Sequence, residues 1–379
     1  MNKPKLVVIG NGMVGQRFLE ELVERGHPYE ITVFCEESRP AYDRVQLSSY
    51  FSGASAEDLS LTNLAFFDTH GIRLMLGEQA VRIDRDKKLV HGSRGSSVAY
   101  DELVLATGSF PFVPPIPGND RECCHVYRTI DDLDAIRASA SVSKVGVVVG
   151  GGLLGLEAAN ALKSLGLEAH VVEFAPRLMP VQLDDHGGLA LKAQIEALGV
   201  SVHLSRGTQS ITPGSEYRYR MNFAGEEFLE TDLIVFSAGI RPQDAIAKQC
   251  GLELGPRGGV AIDSQCRTSD PAIYAIGECA AWNGGIFGLV APGYQMARSV
   301  ATQLCGEDSE PFMGADMSTK LKLLGVDVGS IGDAHGATAG SRSYRFIDEA
   351  TASYRRLVVS ADGKQALGAV LVGDNSYYD

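Results

Sequence analysis

Hydrophobic positions in this chain fall into short unbroken runs, each closed by glycine. The first is Leu6-Val7-Val8-Ile9, ending at Gly10. Four apolar residues in a row, bounded by a turn, predict a strand buried on both faces, as in a parallel sheet. Val14, Phe18 and Leu22 then recur at every fourth position, which predicts a helix with one apolar face. Gly26 stops it, and Ile31-Thr32-Val33-Phe34 resumes a strand that leads to Glu36 and Glu37. The whole pattern then occurs a second time. Val145–Val149 runs into Gly150, the helical spacing passes through Leu154, Ala158, Leu162 and Leu165, Gly166 ends it, and residues 169–172 lead to Glu173. A repeat this long marks a domain and not a solenoid.

Between the copies, Leu103-Val104-Leu105 is another buried strand, turning at Ala106-Thr107-Gly108. A proline-rich stretch, residues 111–118, follows and predicts an interdomain crossover. After the second copy, apolar runs end at Gly239 and at Gly277-Glu278. From about Phe312 the pattern changes to alternation, with Leu357-Val358-Val359 and Ala369-Val370-Leu371-Val372 flanking the hairpin signal Asp362-Gly363. The fold class expected is α/β, with two Rossmann-like βαβ dinucleotide-binding domains and a partial small α+β domain at the C-terminus. Residues 1–112 and 235–311 form one domain in two parts, 113–234 the domain that interrupts it, and 312–379 the last, which ends without a clear closing element.

Each glycine motif carries the same chemistry. In Gly10-Asn11-Gly12-Met13-Val14-Gly15 and in Gly150-Gly151-Gly152-Leu153-Leu154-Gly155, the first glycine makes the turn and the second admits a pyrophosphate. The third lets helix and strand pack closely. A lone motif of this kind is weak evidence. Here each has its strand, its helix and an acidic residue, Glu36 or Glu173, about 20 residues past the last glycine, where a carboxylate accepts ribose hydroxyls. Two dinucleotides are implied. Glu173 repels a 2′-phosphate and so predicts NADH, while Arg177 leaves NADPH open.

Composition removes other readings. A formal charge of -13 provides no basic face for nucleic acid. The 7 cysteines are odd in number and form no CxxC, which argues against a disulfide scaffold, a zinc site or an iron–sulfur motif, so no metal is expected. Adjacent Cys123 and Cys124 are expected as free thiols, and Cys35 as buried packing. His70, His125 and His186 fall in polar loops and are assigned no role. No signal peptide or membrane span is recognised, and a cytoplasmic setting is the default.

The order of motifs resembles the two-dinucleotide-binding flavoproteins, the pyridine nucleotide-disulfide oxidoreductase family. Tyr42-Asp43-Arg44-Val45-Gln46-Leu47-Ser48 is similar to that family's flavin loop, Ala106-Thr107-Gly108 to its Ala-Thr-Gly turn, and Gly239-Ile240-Arg241-Pro242 to its interdomain strand end. Gly277-Glu278 stands where the family has Gly-Asp. The resemblance implies FAD on the domain of residues 1–112 and 235–311, and NADH on 113–234. It implies FAD contacts from Glu36, Glu37, Arg44, Ser48, Val81, Thr107, Gly277, Glu278 and Pro292, the last opening a helix near the reduced flavin's charge.

Within the family the whole chain resembles the large subunits of bacterial cytoplasmic NADH-dependent nitrite reductases, through Gly288-Leu289-Val290-Ala291-Pro292-Gly293-Tyr294 and Lys320-Leu321-Lys322-Leu323-Leu324-Gly325 among other stretches. Those proteins continue into iron–sulfur and siroheme domains and work with a small subunit. The expectation is therefore an N-terminal flavoprotein module that oxidises NADH and does not itself reduce nitrite, with a homodimer left open. Relatives carrying a Lys after the Leu-Ser of the flavin loop pair it with the Glu of the second motif. Ser49 stands there in this chain, so Glu157 is expected to lack that partner, or to contact the nicotinamide amide, with Lys320 or Lys322 as substitutes. No CxxxxC follows the first motif, which disfavours a dithiol mechanism. Two other readings stay open, a ferredoxin- or rubredoxin-type reductase and a flavin-bound NADH-sensing interaction protein.

Overall fold

A computed structural model describes residues 3–378, which divide into two compact units. The first comprises residues up to Gln46, Ser55–Phe110 and Ile240–Asp316. The second comprises Leu47–Ala54, Pro111–Gly239 and the residues from Met317 onward. Along the chain come β1 (Lys5–Ile9), α1 (Met13–Arg25), β2 (Glu30–Cys35), β3 (Arg73–Leu76) and β4 (Glu102–Leu105). Next are β5 (Cys124–Val126), β6 (Val145–Val149), α2 (Leu153–Ser164), β7 (Glu168–Val172), α3 (Asp185–Ala197), β8 (Val200–His203) and β9 (Leu233–Phe236). Then follow β10 (Ile273–Ala275), α4 (Val290–Leu304), β11 (Thr319–Leu323), β12 (Val326–Gly332), β13 (Arg342–Asp348), β14 (Ser353–Val359) and β15 (Ala366–Val372). Shorter strands and turns join these elements.

In the first unit the sheet order is β10-β4-β1-β2-β3, and every pairing is parallel. Parallel strands are covered on both faces, which is why Leu6, Val7, Val8 and Ile9 can all be apolar and all buried. On α1 the predicted spacing holds, since Phe18 and Leu22 are wholly buried. Each such side chain contributes about 1.5–3 kcal/mol by burial. Gly26 ends α1 in the left-handed conformation, with φ +70°, a place where an L side chain would be strained. Glu21 is buried on α1 but not unpaired. Arg17 and Arg25 reach it at 2.5 Å and Arg298 of α4 at 3.3 Å.

In the second unit the order is β8-β7-β6-β9-β5, again parallel. The two sheets share one plan. The glycine-motif strand is central, the next strand lies on one side, and a later strand on the other. They differ in the fifth strand, which arrives late in the first unit (β10) and early in the second (β5).

The tail of the second unit forms a five-stranded antiparallel sheet in the order β11-β12-β15-β14-β13. The expected hairpin joins β14 to β15, with Gly363 at φ +73°. Among the described residues the tail has no helix of its own, and its helical layer is α3 of the preceding domain. Gly187 permits that approach, because a Cβ there would meet Val370 at 3.1 Å and Tyr354 at 3.4 Å. Asp184 caps α3 by accepting the Gly187 N–H, and also accepts from the Tyr354 hydroxyl at 2.7 Å and from Arg356 at 3.2 Å.

Candidate functional site

The first glycine loop follows β1 and opens α1. Gly10 has φ +110°, and a Cβ on it would lie 2.2 Å from the Ala106 carbonyl oxygen, so only glycine fits. Gly15 is equally constrained, with a Cβ falling 2.3 Å from the Gly10 oxygen. Gly12 is the opposite case, because nothing lies within 4 Å of its Cβ position. It is the N-cap of α1, which has neither a side-chain cap nor an acidic residue in its first turn, where Met13 and Val14 stand. The N–H groups of that turn and the helix dipole together favour an anion. Space for a ligand and unspent donors coincide.

The second loop repeats this geometry. Gly150 has φ +119° and a Cβ position 2.2 Å from the Ser237 oxygen, that of Gly155 is 1.9 Å from the Gly150 oxygen, and that of Gly152 is open. Gly152 is the uncapped N-cap of α2, whose first turn carries Leu153 and Leu154. The two loops thus share one backbone geometry, with two glycines that admit no Cβ and one that faces open space.

The acidic residues at the strand ends differ. Glu36, just past β2, is exposed. Glu173, just past β7, accepts the Gly151 N–H at 2.6 Å and the Ala175 N–H at 2.7 Å. Arg177 is committed elsewhere, to the Leu183 carbonyl at 3.0 Å and Asp185 at 2.6 Å. In the first loop Asn11 occupies the place of Gly151, and its side chain accepts the Ala41 N–H and donates to Gln16.

Of the other residues expected around FAD, several converge within the first unit. Arg44 pairs with Glu37, which also accepts the Tyr42 hydroxyl at 2.7 Å, so the arginine's direction is set by neighbours on its own loop. Ala106 supplies the carbonyl that meets Gly10. Thr107 donates to the Gln243 carbonyl at 2.6 Å, and Gly108 takes φ +68°. Glu278 accepts the Ser109 hydroxyl at 2.6 Å. Gly277 and Gly293 both press on Val14, with Cβ positions 3.2 and 2.5 Å from its side chain. Pro292 is buried in the first turn of α4. Val81 lies on a short strand and is largely exposed. Ser48 and Gly239 (φ +100°) belong to the second unit.

Glu157 sits on α2, and burial pushes its carboxyl up to about 7. Lys322 is exposed on β11 of the same unit, and among the described residues neither side chain makes a hydrogen bond or ion pair. Lys320 lies instead over the Tyr378 ring, 5.0 Å from its centroid. The expected substitution of Lys322 for the family lysine is therefore not realised as an ion pair. Sequence reasoning passed over Tyr127. Its hydroxyl is buried with no hydrogen-bond partner among the described residues, Phe51 stacks on its ring at 6.4 Å, and burial followed by the Glu157 charge raises its pKa. Only its proximity to Glu157 marks it, and no spacing along the chain encodes that.

All 7 cysteines are free thiols, Cys123 and Cys124 included. Burial pushes Cys35 up to about 11, as a packed thiol requires. No group of metal-ligating side chains occurs among the described residues, nor any helix long and apolar enough to cross a membrane.

A family model described as pyridine nucleotide-disulphide oxidoreductase matches residues 4–302, and one described as rubredoxin NAD+ reductase C-terminal domain matches residues 318–378. The nitrite reductase (NADH) large subunit of Escherichia coli (strain K12) is 58% identical over 381 residues, which span 100% of this chain and 45% of that protein. Rhodocoxin reductase of Rhodococcus erythropolis is 31% identical over 344 residues, 87% of this chain and 79% of that protein. Among solved structures, a NAD-dependent persulfide reductase from A. fulgidus superposes with a TM-score of 0.88 at 26% identity, covering 97% of this chain and 74% of that one. The chain thus spans less than half the length of its E. coli relative.

Proposed function

The chain belongs to the pyridine nucleotide-disulphide oxidoreductase family, and from that premise we propose that it is the FAD-carrying, NADH-oxidising input module of a nitrite reductase. The observation that carries this reading is the pair of glycine cradles. Each has two glycines that tolerate no Cβ and one, at the mouth of an uncapped helix, that faces open space. Two dinucleotide pyrophosphates fit two such places. The chemistry supplied there is that of FAD, which takes an electron pair as hydride and gives electrons up singly.

The chain's own residues bind, orient and select. Arg44, held by Glu37 and Tyr42, is a fixed positive charge beside the first cradle's domain. Glu278, held by Ser109, presents a carboxylate in the place of the family aspartate. Glu173 puts negative charge at the second loop, while Arg177 is spent on Leu183 and Asp185, so the combination favours NADH over NADPH. Glu157, with a carboxyl near 7, offers either a donor or an acceptor to the nicotinamide amide at neutral pH. In the longer protein, iron–sulfur and siroheme centres would take up the electrons, with a small subunit as partner.

The match of residues 318–378 to a rubredoxin NAD+ reductase domain favours one alternative, a separate one-electron carrier as acceptor. Anaerobic addition of NADH to the FAD-loaded protein tests the reading. Bleaching of the flavin band at stoichiometric NADH is expected, and a band that persists under excess NADH would sink it. Adding reduced protein to a nitrite reductase lacking this module, or to rubredoxin, separates the two acceptors.

A further inference from the structure

Two polar side chains of the second unit, Tyr127 and Glu157, have no partner within their own chain among the described residues. Tyr127 follows β5. In the pairing of β5 with β9, Val126 lies opposite Phe236, so Tyr127 stands level with Ser237, whose carbonyl packs on Gly150. It is therefore at the carboxyl ends of the parallel strands, where open α/β sheets hold their ligands. The residue is 3% exposed, and its hydroxyl makes no hydrogen bond. Its surroundings are fixed. Thr129 forms a capping box with Asp132 at the start of the helix Ile130–Ala140. From that helix Arg137 donates to the Tyr50 carbonyl at 2.8 Å, and Asp134 accepts the Tyr50 hydroxyl at 2.5 Å. The next residue, Phe51, stacks on the Tyr127 ring.

Glu157 is the fifth residue of α2, one turn in from the uncapped N-terminus at Gly152. Its charge is felt at Tyr127, yet no hydrogen bond joins them, so they are neighbours that do not satisfy one another. Burying a hydroxyl and a carboxyl unpaired costs free energy, and a ligand that pairs both recovers it. The roles open to the two groups differ. Burial, then the Glu157 charge, raises the Tyr127 pKa, so the phenol stays protonated and can donate. A carboxyl has an acceptor oxygen whether ionised or not. The matching ligand carries an acceptor and a donor side by side. A primary carboxamide has both on one carbon.

We propose that Tyr127 and Glu157 together read the nicotinamide carboxamide, the Tyr127 hydroxyl donating to its carbonyl oxygen and a Glu157 oxygen accepting its N–H. This rests on the second cradle being the NADH site, and it adds a determinant at the far end of the dinucleotide. An amide held at both its oxygen and its nitrogen cannot turn over, so the pyridine ring keeps one orientation and presents one face. The same pair discriminates by chemistry. A pyridine-3-carboxylate has no N–H for Glu157 and brings like charge to it, so the carboxamide is preferred. The Tyr127 ring is already used in packing on Phe51, and the hydroxyl is the part that packing leaves over.

Steady-state ferricyanide reduction by the FAD-loaded chain tests this with three ligands. They are NADH, its reduced 3-acetylpyridine analogue (a ketone in place of the amide, hence no N–H), and ADP-ribose as a competitor without a pyridine. Tyr127→Phe is expected to raise the KM for both pyridine nucleotides about three- to tenfold, the worth of one hydrogen bond. Glu157→Ala is expected to raise the KM for NADH to a similar degree and to leave that of the analogue within about twofold of wild type. The inhibition constant of ADP-ribose is expected to stay within about twofold in both variants, because the cradle itself is untouched. An unchanged NADH KM in Tyr127→Phe would overturn the proposal. So would an ADP-ribose constant that rises as far as the KM, or a Glu157→Ala variant that weakens both nucleotides equally. If ADP-ribose does not compete with NADH in wild type, the NADH reading of the second cradle falls, and this inference with it.

Discussion

The carboxylate of Glu173 accepts the backbone N–H of Gly151 at 2.6 Å, which ties the end of β7 to the glycine loop that precedes α2. On the proposed function the same oxygens would meet the ribose hydroxyls, so that one residue would both hold the loop and select the nucleotide. Glu173→Gln keeps one acceptor where the carboxylate serves both Gly151 and Ala175, and it removes the charge. It is expected to raise the KM for NADH about tenfold, the worth of one charge-assisted hydrogen bond, and to narrow the preference for NADH over NADPH. Steady-state assays with ferricyanide and each nucleotide read both effects. An unchanged ratio of the two nucleotides would remove the selective role.

The two cradles can be assigned by breaking them one at a time. Alanine at Gly15 would put a methyl 2.3 Å from the Gly10 oxygen, and alanine at Gly155 would put one 1.9 Å from the Gly150 oxygen. Backbone must shift in either case, and the helix N-terminus moves away from the pyrophosphate. Gly15→Ala is expected to purify without flavin. Gly155→Ala is expected to stay yellow but not to bleach with NADH. The reverse pattern in absorbance spectra would exchange the cofactors between the domains.

Much of this was legible in the chain because parallel strands and glycine turns are local signals. Leu6 to Ile9 had to be buried on both faces, and Gly10 and Gly150 had to take positive φ, whatever else the fold did. Long-range partners were not legible. Nothing along the sequence says that Glu278 would meet Ser109, that Asn11 would hold Ala41, or that Tyr127 would lie beside Glu157. The helix that covers the tail was not legible for the same reason. Its strands alternate clearly, but the cover comes from α3, more than a hundred residues earlier. Nor could Glu37 be known to spend its charge on Arg44.

Glu157 makes stability depend on pH. Burial pushes its carboxyl up to about 7 in the folded chain, against about 4.3 in an unfolded one. Between those values the folded state holds more protons, so stability falls as pH rises through that window and levels off above it. Glu157→Gln abolishes this titration while keeping the shape. Thermal midpoints of wild type are expected to drop relative to Glu157→Gln from about pH 5 to about pH 7. A difference that does not change with pH would contradict the buried carboxyl.

Tyr127 carries a buried hydroxyl that finds no hydrogen-bond partner among the described residues. A buried hydroxyl left unpaired costs about 1–3 kcal/mol. Tyr127→Phe removes it and keeps the ring stacked on Phe51, so the variant is expected to be as stable as wild type or about 1 kcal/mol more stable. If that hydroxyl serves a bound nucleotide, NADH turnover falls in the same variant. Denaturant titration and turnover, read together, separate the two effects. A loss of more than about 1 kcal/mol would mean that the hydroxyl is satisfied.

Asp184 fastens the C-terminal sheet to α3. It accepts the Tyr354 hydroxyl at 2.7 Å and Arg356 at 3.2 Å, and it caps the helix through Gly187, with the carboxylate and the guanidinium both largely buried. A buried pair adds little beyond a well-packed apolar contact, but removing one member strands the other. Asp184→Ala leaves the buried Arg356 guanidinium with only the Ala334 and His335 carbonyls as partners and α3 uncapped, and is expected to cost about 3–5 kcal/mol. Tyr354→Phe loses one hydrogen bond and is expected to cost about 1 kcal/mol. Urea unfolding of both variants gives the comparison. Equal costs would mean that the Ala334 and His335 carbonyls satisfy the guanidinium, and that the sheet is held by packing on Gly187 and Val370 instead.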